Sequence, residues 1–502
     1  MITADNLIAV DKKEMSMARY LRYCCLILSW MLFGIGLCLG NFNILLCANL
    51  CLLISNLLFA AENIRDRIFF LFFNLTFFVF LLSRPVISMF RNVKWWNFEV
   101  SAVYFALIAI FVSLFCIQIG GIAADRFIAK KIAIVPKWFS MDEFDFQRAL
   151  RIVSFGFWII TMLCFLIEEA DKLVFMQGKA YEDYYILYHN SLPFYIHIPA
   201  SLMIYALCIY LATLPQKHWA FFVLSVYVLS AVPSLIIGIR NPIVENAIFA
   251  FLYFFVRDTL GDEKKWIGKL EKALLICIIP VSLVFLSAYN YIRQGEAVAT
   301  SGLWGSIVDL FYKQGVSFEV LCIGFQSIPS LPNSAFKNYT FGPFIDYFTH
   351  SGLSSKLFGT MDLSGNSVEH AVYGNSFAHS MSYTARSDYL QGHGWGSSFI
   401  LEVFTDGGIC GVILFSLLLG LGLLFLMRLL RGKTFARIVA LTSLLSLFFM
   451  PRGEATGSFL FIVSVQFWIT FIICFFGAGL CKRPYTRFNC QRLFNKRYIN
   501  VK

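Results

Sequence analysis

Charged residues are scarce in this sequence. Asp, Glu, Lys and Arg make up 14% of 502 residues, against 59% hydrophobic residues and 55 Phe. A soluble chain of this length could not hide so much apolar surface, so a polytopic membrane protein is expected. The net charge of +11 suggests a nucleic-acid partner. The basic residues lie in short segments flanking apolar runs, however, so no such partner is expected. No A-x-A-like site follows the first apolar run, which leads straight into a second, and a cleavable signal peptide is not expected. The 14 Cys lie mostly inside apolar runs and only Cys322 falls in the long polar loop, which argues against a disulfide framework there. Internal repeats and low-complexity tracts are absent.

What is present is a series of apolar runs of spanning length. They suggest an all-α chain with about twelve transmembrane helices, at roughly 20–40, 43–61, 68–90, 100–123, 150–170, 194–214, 219–237, 243–257, 273–291, 399–427, 438–451 and 458–480. The eighth and eleventh are short for a crossing. This divides the chain into residues 1–291 with nine helices, a large loop at 292–398, three helices within 399–480 and a basic tail at 481–502. Most Lys and Arg fall in alternate connections, including seven in the tail, which places both termini in the cytoplasm and the large loop outside.

Three outer segments carry polar chemistry. The loop after the fifth helix, EEADKLVFMQGKAYEDYYILYHNSLPF, is acidic and Tyr-rich. Such rings suit carbohydrate stacking as well as the membrane interface. The turn GIRNP joins two helices at 238–242. The loop at 292–398 opens with the amphipathic stretch LWGSIVDLFYKQGVSFEVLCIGF, expected to lie on or dip into the membrane surface. A loop of this length without strong secondary structure is usually a lid or binding loop.

The organising stretch is RSDYLQGHGWGSSFILEVFTDGGICG at 386–411, where a glycine-rich segment runs into an apolar helix. Ionisable groups at a membrane boundary are functional candidates. Glu402 and Asp406 are four apart and share a helix face, with capping or pairing with arginines as the plainer role. His393, between two glycines, is the candidate base, with a solvated loop histidine as its alternative. Of the seven His, His189, His350, His370 and His379 also lie in outer loops, and no zinc-like spacing accompanies them. Arg240, Arg293, Arg386 and Arg452 all fall at outer boundaries, against the charge bias. Guanidinium grips phosphate oxygens in a planar fork and stays charged when partly desolvated. Pairing with Glu245, Glu296, Asp388 and Glu454, or reaching for head groups, would also account for them. Lys337 is expected at the surface and of little consequence. The first outer loop, about NFN, has no carboxylate, which disfavours a transferase that holds a metal by an acidic pair there.

The segment GHGWGSSFILEVFTDGGICGVILFSLLLG resembles the G-x-G-S-S-[FY]-I-x-E-x-[FY] pattern of bacterial O-antigen polymerases of the Wzy type. GIRNPIVENAIF resembles their Arg turn, and MPRGEATGSF a further basic turn. As architecture, the resemblance covers nearly the whole chain. It implies a GT-C-like, metal-independent glycosyltransferase of the bacterial inner membrane with its active site facing the periplasm and no cofactor. Its substrates would be undecaprenyl-diphosphate-linked oligosaccharides, its surroundings membrane lipids, and a chain-length regulator a possible protein partner. By position, the resemblance implies Arg240, Arg293 and Arg452 for the diphosphate and Glu402 as an orienting acid. O-antigen ligases share much of this pattern and are the alternative. A lipid-linked sugar flippase would show two similar halves and polar residues along the helix interiors, whereas here the polar groups cluster at one face and the halves differ; a scaffold would leave the four outer arginines unexplained.

Overall fold

The computed structural model describes the chain except residues 1–3, 130–143, 180–182, 189, 262–264, 270, 274–275, 277–281, 283, 286–288, 290–301, 333–336, 362, 364 and 498–502. Arg293, His189 and most of the expected ninth helix lie outside the described residues. The described residues are helical and contain no strand. Nine helices among them are long and apolar enough to cross a membrane. Asn241–Leu260 is a helix of 20 residues, longer than the eighth run suggested. The eleventh run is the helix Thr434–Ser443 followed by a 3-10 turn, Leu447–Arg452, and the twelfth helix starts only at Val465. Two compact units are formed, one by 1–132, 267–428 and 446–458, the other by 133–266, 429–445 and 459–502.

In the first unit, the helices Ala4–Leu39, Phe42–Ala61, Ile64–Phe90 and Val100–Ala129 are followed by the loop helices and by Phe399–Leu430. Lipid is as apolar as Leu, so packing and hydrogen bonds rather than apolar burial hold such helices together. Asn56 donates to Asn74 Oδ1 at 2.9 Å and to the Leu114 carbonyl at 3.1 Å. The Ser113 and Ser416 hydroxyls meet at 2.9 Å. Such bonds average about 0.6 kcal/mol each in a bilayer. A Cβ on Gly120 would run into the carbonyl of Leu417, and one on Gly420 into that of Ile117. This reciprocal fit brings Val100–Ala129 against Phe399–Leu430 backbone to backbone. Arg22, Glu62, Arg67 and Asp125 form one chain of ion pairs of 2.8–3.2 Å. They lie on the four helix ends that the charge count assigns to a single side.

The segment expected to be a loop without strong secondary structure is largely helical. It contains Gly302–Gln314, Ser317–Ser327, Gly342–His350, Gly352–Phe358, Val368–Tyr373 and Phe377–Ala385. The amphipathic stretch is two of these helices. The second is buried in the protein through Phe318, Val320, Leu321 and Cys322, with Gly324 against Leu401.

In the second unit, Phe144–Phe175 packs along Phe194–Ala212. Three arginines meet carbonyls at the C-terminal end of Phe194–Ala212. Arg151 donates to Thr213 at 2.7 Å, Arg257 to Pro215 at 2.8 Å and Arg437 to Ala212 at 3.3 Å. Cations there satisfy orphan carbonyls and the helix dipole. The turn carrying Arg240 follows Gly238, at φ 113°, and in the helix before it the Ser234 hydroxyl bonds at 2.7 Å to buried Glu169. Glu169 also takes Lys172 at 2.6 Å. In the Tyr-rich loop, the Tyr184 and Tyr188 rings stack on one another and Tyr188 donates to Asp171.

Candidate functional site

The glycine-rich segment delivers Ser397 and Ser398 to the first turn of the helix Phe399–Leu430. The Ser398 carbonyl accepts the N–H groups of Leu401 and Glu402. The Ser397 hydroxyl reaches forward to Glu402 Oε1 at 2.7 Å. The other oxygen, Oε2, accepts the backbone N–H of Ala455 at 2.7 Å. Glu402 is 1% exposed, so both oxygens are satisfied inside the protein rather than by water. One turn along, Asp406 accepts the N–H of Thr340 at 2.6 Å, and Thr456 donates to the Thr340 carbonyl at 2.7 Å. Three segments remote in sequence, around 340, 402 and 455, are thereby tied together. The two carboxylates do share a face, and among the described residues neither forms a salt bridge.

The tie positions a short polar turn. Its 3-10 segment Leu447–Arg452 ends in Arg452, whose Nη1 donates to Gln314 Oε1 at 2.6 Å. The Arg452 guanidinium lies 5.9 Å from the centre of the Phe80 ring. Two residues on, Glu454 keeps an exposed side chain, yet the surrounding protein pushes its carboxyl pKa up, and the charge of Asp346 adds to that shift. Among the described residues Glu454 has no hydrogen bond or ion pair. Asp346 is held by the Asn375 backbone N–H at 2.9 Å and side-chain amide at 2.8 Å. Lys337 is not a surface residue: its ammonium donates to the Ala371 carbonyl at 2.8 Å and to Ser380 at 3.0 Å. Burial pulls its pKa down to about 8.

The remaining residues named from the sequence take separate places. Arg386 grips Asp388 in a two-pronged pair of 2.7 and 2.6 Å and lies over the Trp395 ring at 4.8 Å. That pair holds the Asp388 pKa down at about 2 and commits Arg386 locally. His393 is half-buried, and its carbonyl accepts from Asn366 at 3.0 Å. His370 and His379 stack with ring centres 3.6 Å apart, and His379 Nδ1 meets the Tyr389 hydroxyl at 2.9 Å. Arg240 belongs to the second unit, at the N-cap of Asn241–Leu260.

Other groups of the first unit were not named as site residues in the sequence. Arg84 and Arg91 lie by Tyr312, two residues before the Gln314 that accepts from Arg452, and Thr340 braces the turn through Thr456. Arg84 and Arg91 lie in SRPVISMFRN, at the end of an apolar run, where they read as ordinary flanking charge. Their excess on a side poor in basic residues was the available signal.

A model of the family described as O-antigen polysaccharide polymerase Wzy matches residues 21–484. No curated protein and no solved structure matches the chain.

Proposed function

The chain belongs to the O-antigen polysaccharide polymerase Wzy family, and we propose that it joins undecaprenyl-diphosphate-linked oligosaccharide repeat units into surface polysaccharide. The reaction takes place at the outer face of the bacterial inner membrane, on a GT-C-like chain of twelve crossings with both termini in the cytoplasm. A chain-length regulator is the expected protein partner. The match over nearly the whole chain carries this reading.

In this mechanism, the acceptor hydroxyl at the non-reducing end of a new unit attacks the anomeric carbon of the growing chain. The new glycosidic bond forms as the bond to the lipid diphosphate breaks. The hydroxyl proton passes to a protein base, and the lipid diphosphate leaves as an anion. Two groups compete for the base. Glu454 is favoured over His393, because its accessible carboxylate sits two residues from Arg452 on a turn that Glu402 pins. A carboxyl pushed above its ordinary range is a better proton acceptor at neutral pH than a normal one. Arg452 stabilises the departing charge through hydrogen bonds that strengthen in the transition state, and Arg240 and Arg293 are each separate candidates for diphosphate contact. Glu402 acts as an orienting acid. No metal is assigned to the reaction, since the first outer loop carries no acidic pair.

Deleting the gene and resolving the surface glycan on a gel tests this. A polymerase loss leaves lipid A core capped with single units. An unchanged ladder contradicts the reading, and uncapped core indicates a ligase instead.

A further inference from the structure

At the end of the helix Ile64–Phe90 that the charge count places outside, a π-helical turn, Phe78–Leu82, hands over to Ser83–Phe90. Such turns are often found at functional sites. The Ser83 hydroxyl bridges to the Phe311 carbonyl at 2.8 Å. Gly315 lies so close that a Cβ there would overlap the Arg84 backbone nitrogen. Together these contacts press the C-terminal turn of Gly302–Gln314 against Ser83 and Arg84.

That clamp gathers three guanidinium groups from two distant stretches of chain. Arg84 lies 4.7 Å and Arg91 5.7 Å from the centre of the Tyr312 ring. Arg452 bonds to Gln314, two residues further on, at 2.6 Å. Arg84 pairs with Glu319 through Nε, at 3.0 Å, and its terminal nitrogens make no hydrogen bond among the described residues. Arg91 is exposed and has no ion pair or hydrogen bond among the described residues. The guanidinium of Arg452 joins the group through the Gln314 side-chain amide. A helix C-terminus attracts a cation, but Lys313 already occupies the last turn, so the dipole leaves Arg84 and Arg91 unaccounted for.

We propose that Arg84, Arg91 and Arg452, gathered around Tyr312 and Gln314, bind the diphosphate of a lipid-linked substrate. The inference rests on the polymerase reading: joining two lipid-linked saccharides requires two diphosphates to be held at once. A diphosphate offers several oxygens, which suit adjacent guanidinium forks better than a single phosphate does. The placement at the end of a membrane-spanning helix fits a head group whose tail stays in lipid. Anionic phospholipid is the other source of phosphate at that depth.

The test uses the full chain in phosphatidylcholine nanodiscs, titrated with farnesyl diphosphate, farnesyl monophosphate or inorganic pyrophosphate, with thermal shift as the readout. The wild type should bind farnesyl diphosphate at least about tenfold more tightly than the monophosphate. Arg91→Ala, at an exposed position, and Arg84→Lys, which keeps the charge, should each lose about tenfold or more, as expected for lost charge-assisted hydrogen bonds. Affinities within about twofold of wild type in both variants overturn the proposal. So does equal competition from nanodiscs containing phosphatidylglycerol, which would make the cluster a bulk-lipid anchor. Polysaccharide laddering is read in parallel. Normal binding by the variants beside an active wild type defeats this site alone. Arginine-dependent binding by a wild type that does not polymerise defeats the polymerase reading and leaves the site standing.

Discussion

Glu402 and Ala455 are 53 positions apart, and the carboxylate of one accepts the backbone N–H of the other at 2.7 Å. This bond fixes where Arg452 and Glu454 stand. The Ser397 hydroxyl occupies the second oxygen of Glu402, so the acid is fully committed to holding its neighbours. It is a positioning residue: its work is done through the turn that it carries.

Replacing Glu402 with Ala strands the hydroxyl of Ser397 and the N–H of Ala455, both buried. Each unsatisfied donor costs about 1–3 kcal/mol. Glu402→Ala should therefore lower the melting temperature and abolish laddering, while Glu402→Gln, which keeps one acceptor oxygen, should retain part of both. Thermal unfolding and glycan gels on matched expression levels check this, and an unaffected Glu402→Ala ladder would remove the turn from the site.

Glu454 should behave in the opposite way. The desolvating protein around it and the charge of Asp346 raise its pKa, so the folded protein holds the proton more tightly than the unfolded chain does. Its contribution to stability is present at low pH and is lost as pH rises through the raised value. Glu454→Gln should then be as stable as wild type or more so at neutral pH, yet inactive. In the wild type, activity should fall on acidification above the ordinary carboxylate range. Asp346→Asn should move that limb to lower pH. A Glu454→Gln variant with normal turnover would return the base to His393.

The His370–His379 stack makes the segment 365–392 sensitive to acid. Burial, reinforced by the neighbouring His370, pulls the His379 pKa from 6.5 down to about 3. The unfolded loop takes up a proton below about pH 6.5, whereas the folded loop resists it down to about pH 3. Stability is therefore lost as pH falls through that window. Hydrogen exchange of residues 365–392 should accelerate between pH 7 and pH 5, and His379→Phe should remove much of the acceleration.

Much of the helical framework was legible in the sequence because each spanning run depends only on local apolar length. Thus Phe42–Ala61 and Val100–Ala129 were recognised nearly in place. The loop at 302–398 was not, because its helices are short and their burial comes from partners elsewhere: Phe318 and Leu321 meet the rest of the first unit only in three dimensions. The segment around Glu402 stood out through its glycines and acids. Its actual partners, Thr340 and Ala455, offered no local signal, since both meet it through backbone N–H groups. Lys337 was misplaced for the same reason: nothing near it in sequence announces the carbonyl of Ala371. Arg84 and Arg91 were hidden by position, at the end of an apolar run where an arginine ordinarily meets head groups.

Orientation has its own check. Single cysteines placed between 340 and 390 in a cysteine-free background should react with a membrane-impermeant maleimide added from the periplasmic side. Labelling only after the cytoplasmic side is opened would reverse the topology and, with it, the proposed location of the reaction.

The most direct measurement is elongation by the purified protein. Reconstituted in proteoliposomes with undecaprenyl-diphosphate-linked repeat units, in excess chelator, it should produce a ladder of longer lipid-linked glycans. The Arg452→Ala variant should be slower by roughly a hundred- to a thousandfold, as for loss of one donor to developing charge. Units that remain single under these conditions, whether or not magnesium or manganese is restored, would contradict the account; a ladder that appears only with metal would contradict its metal-free chemistry.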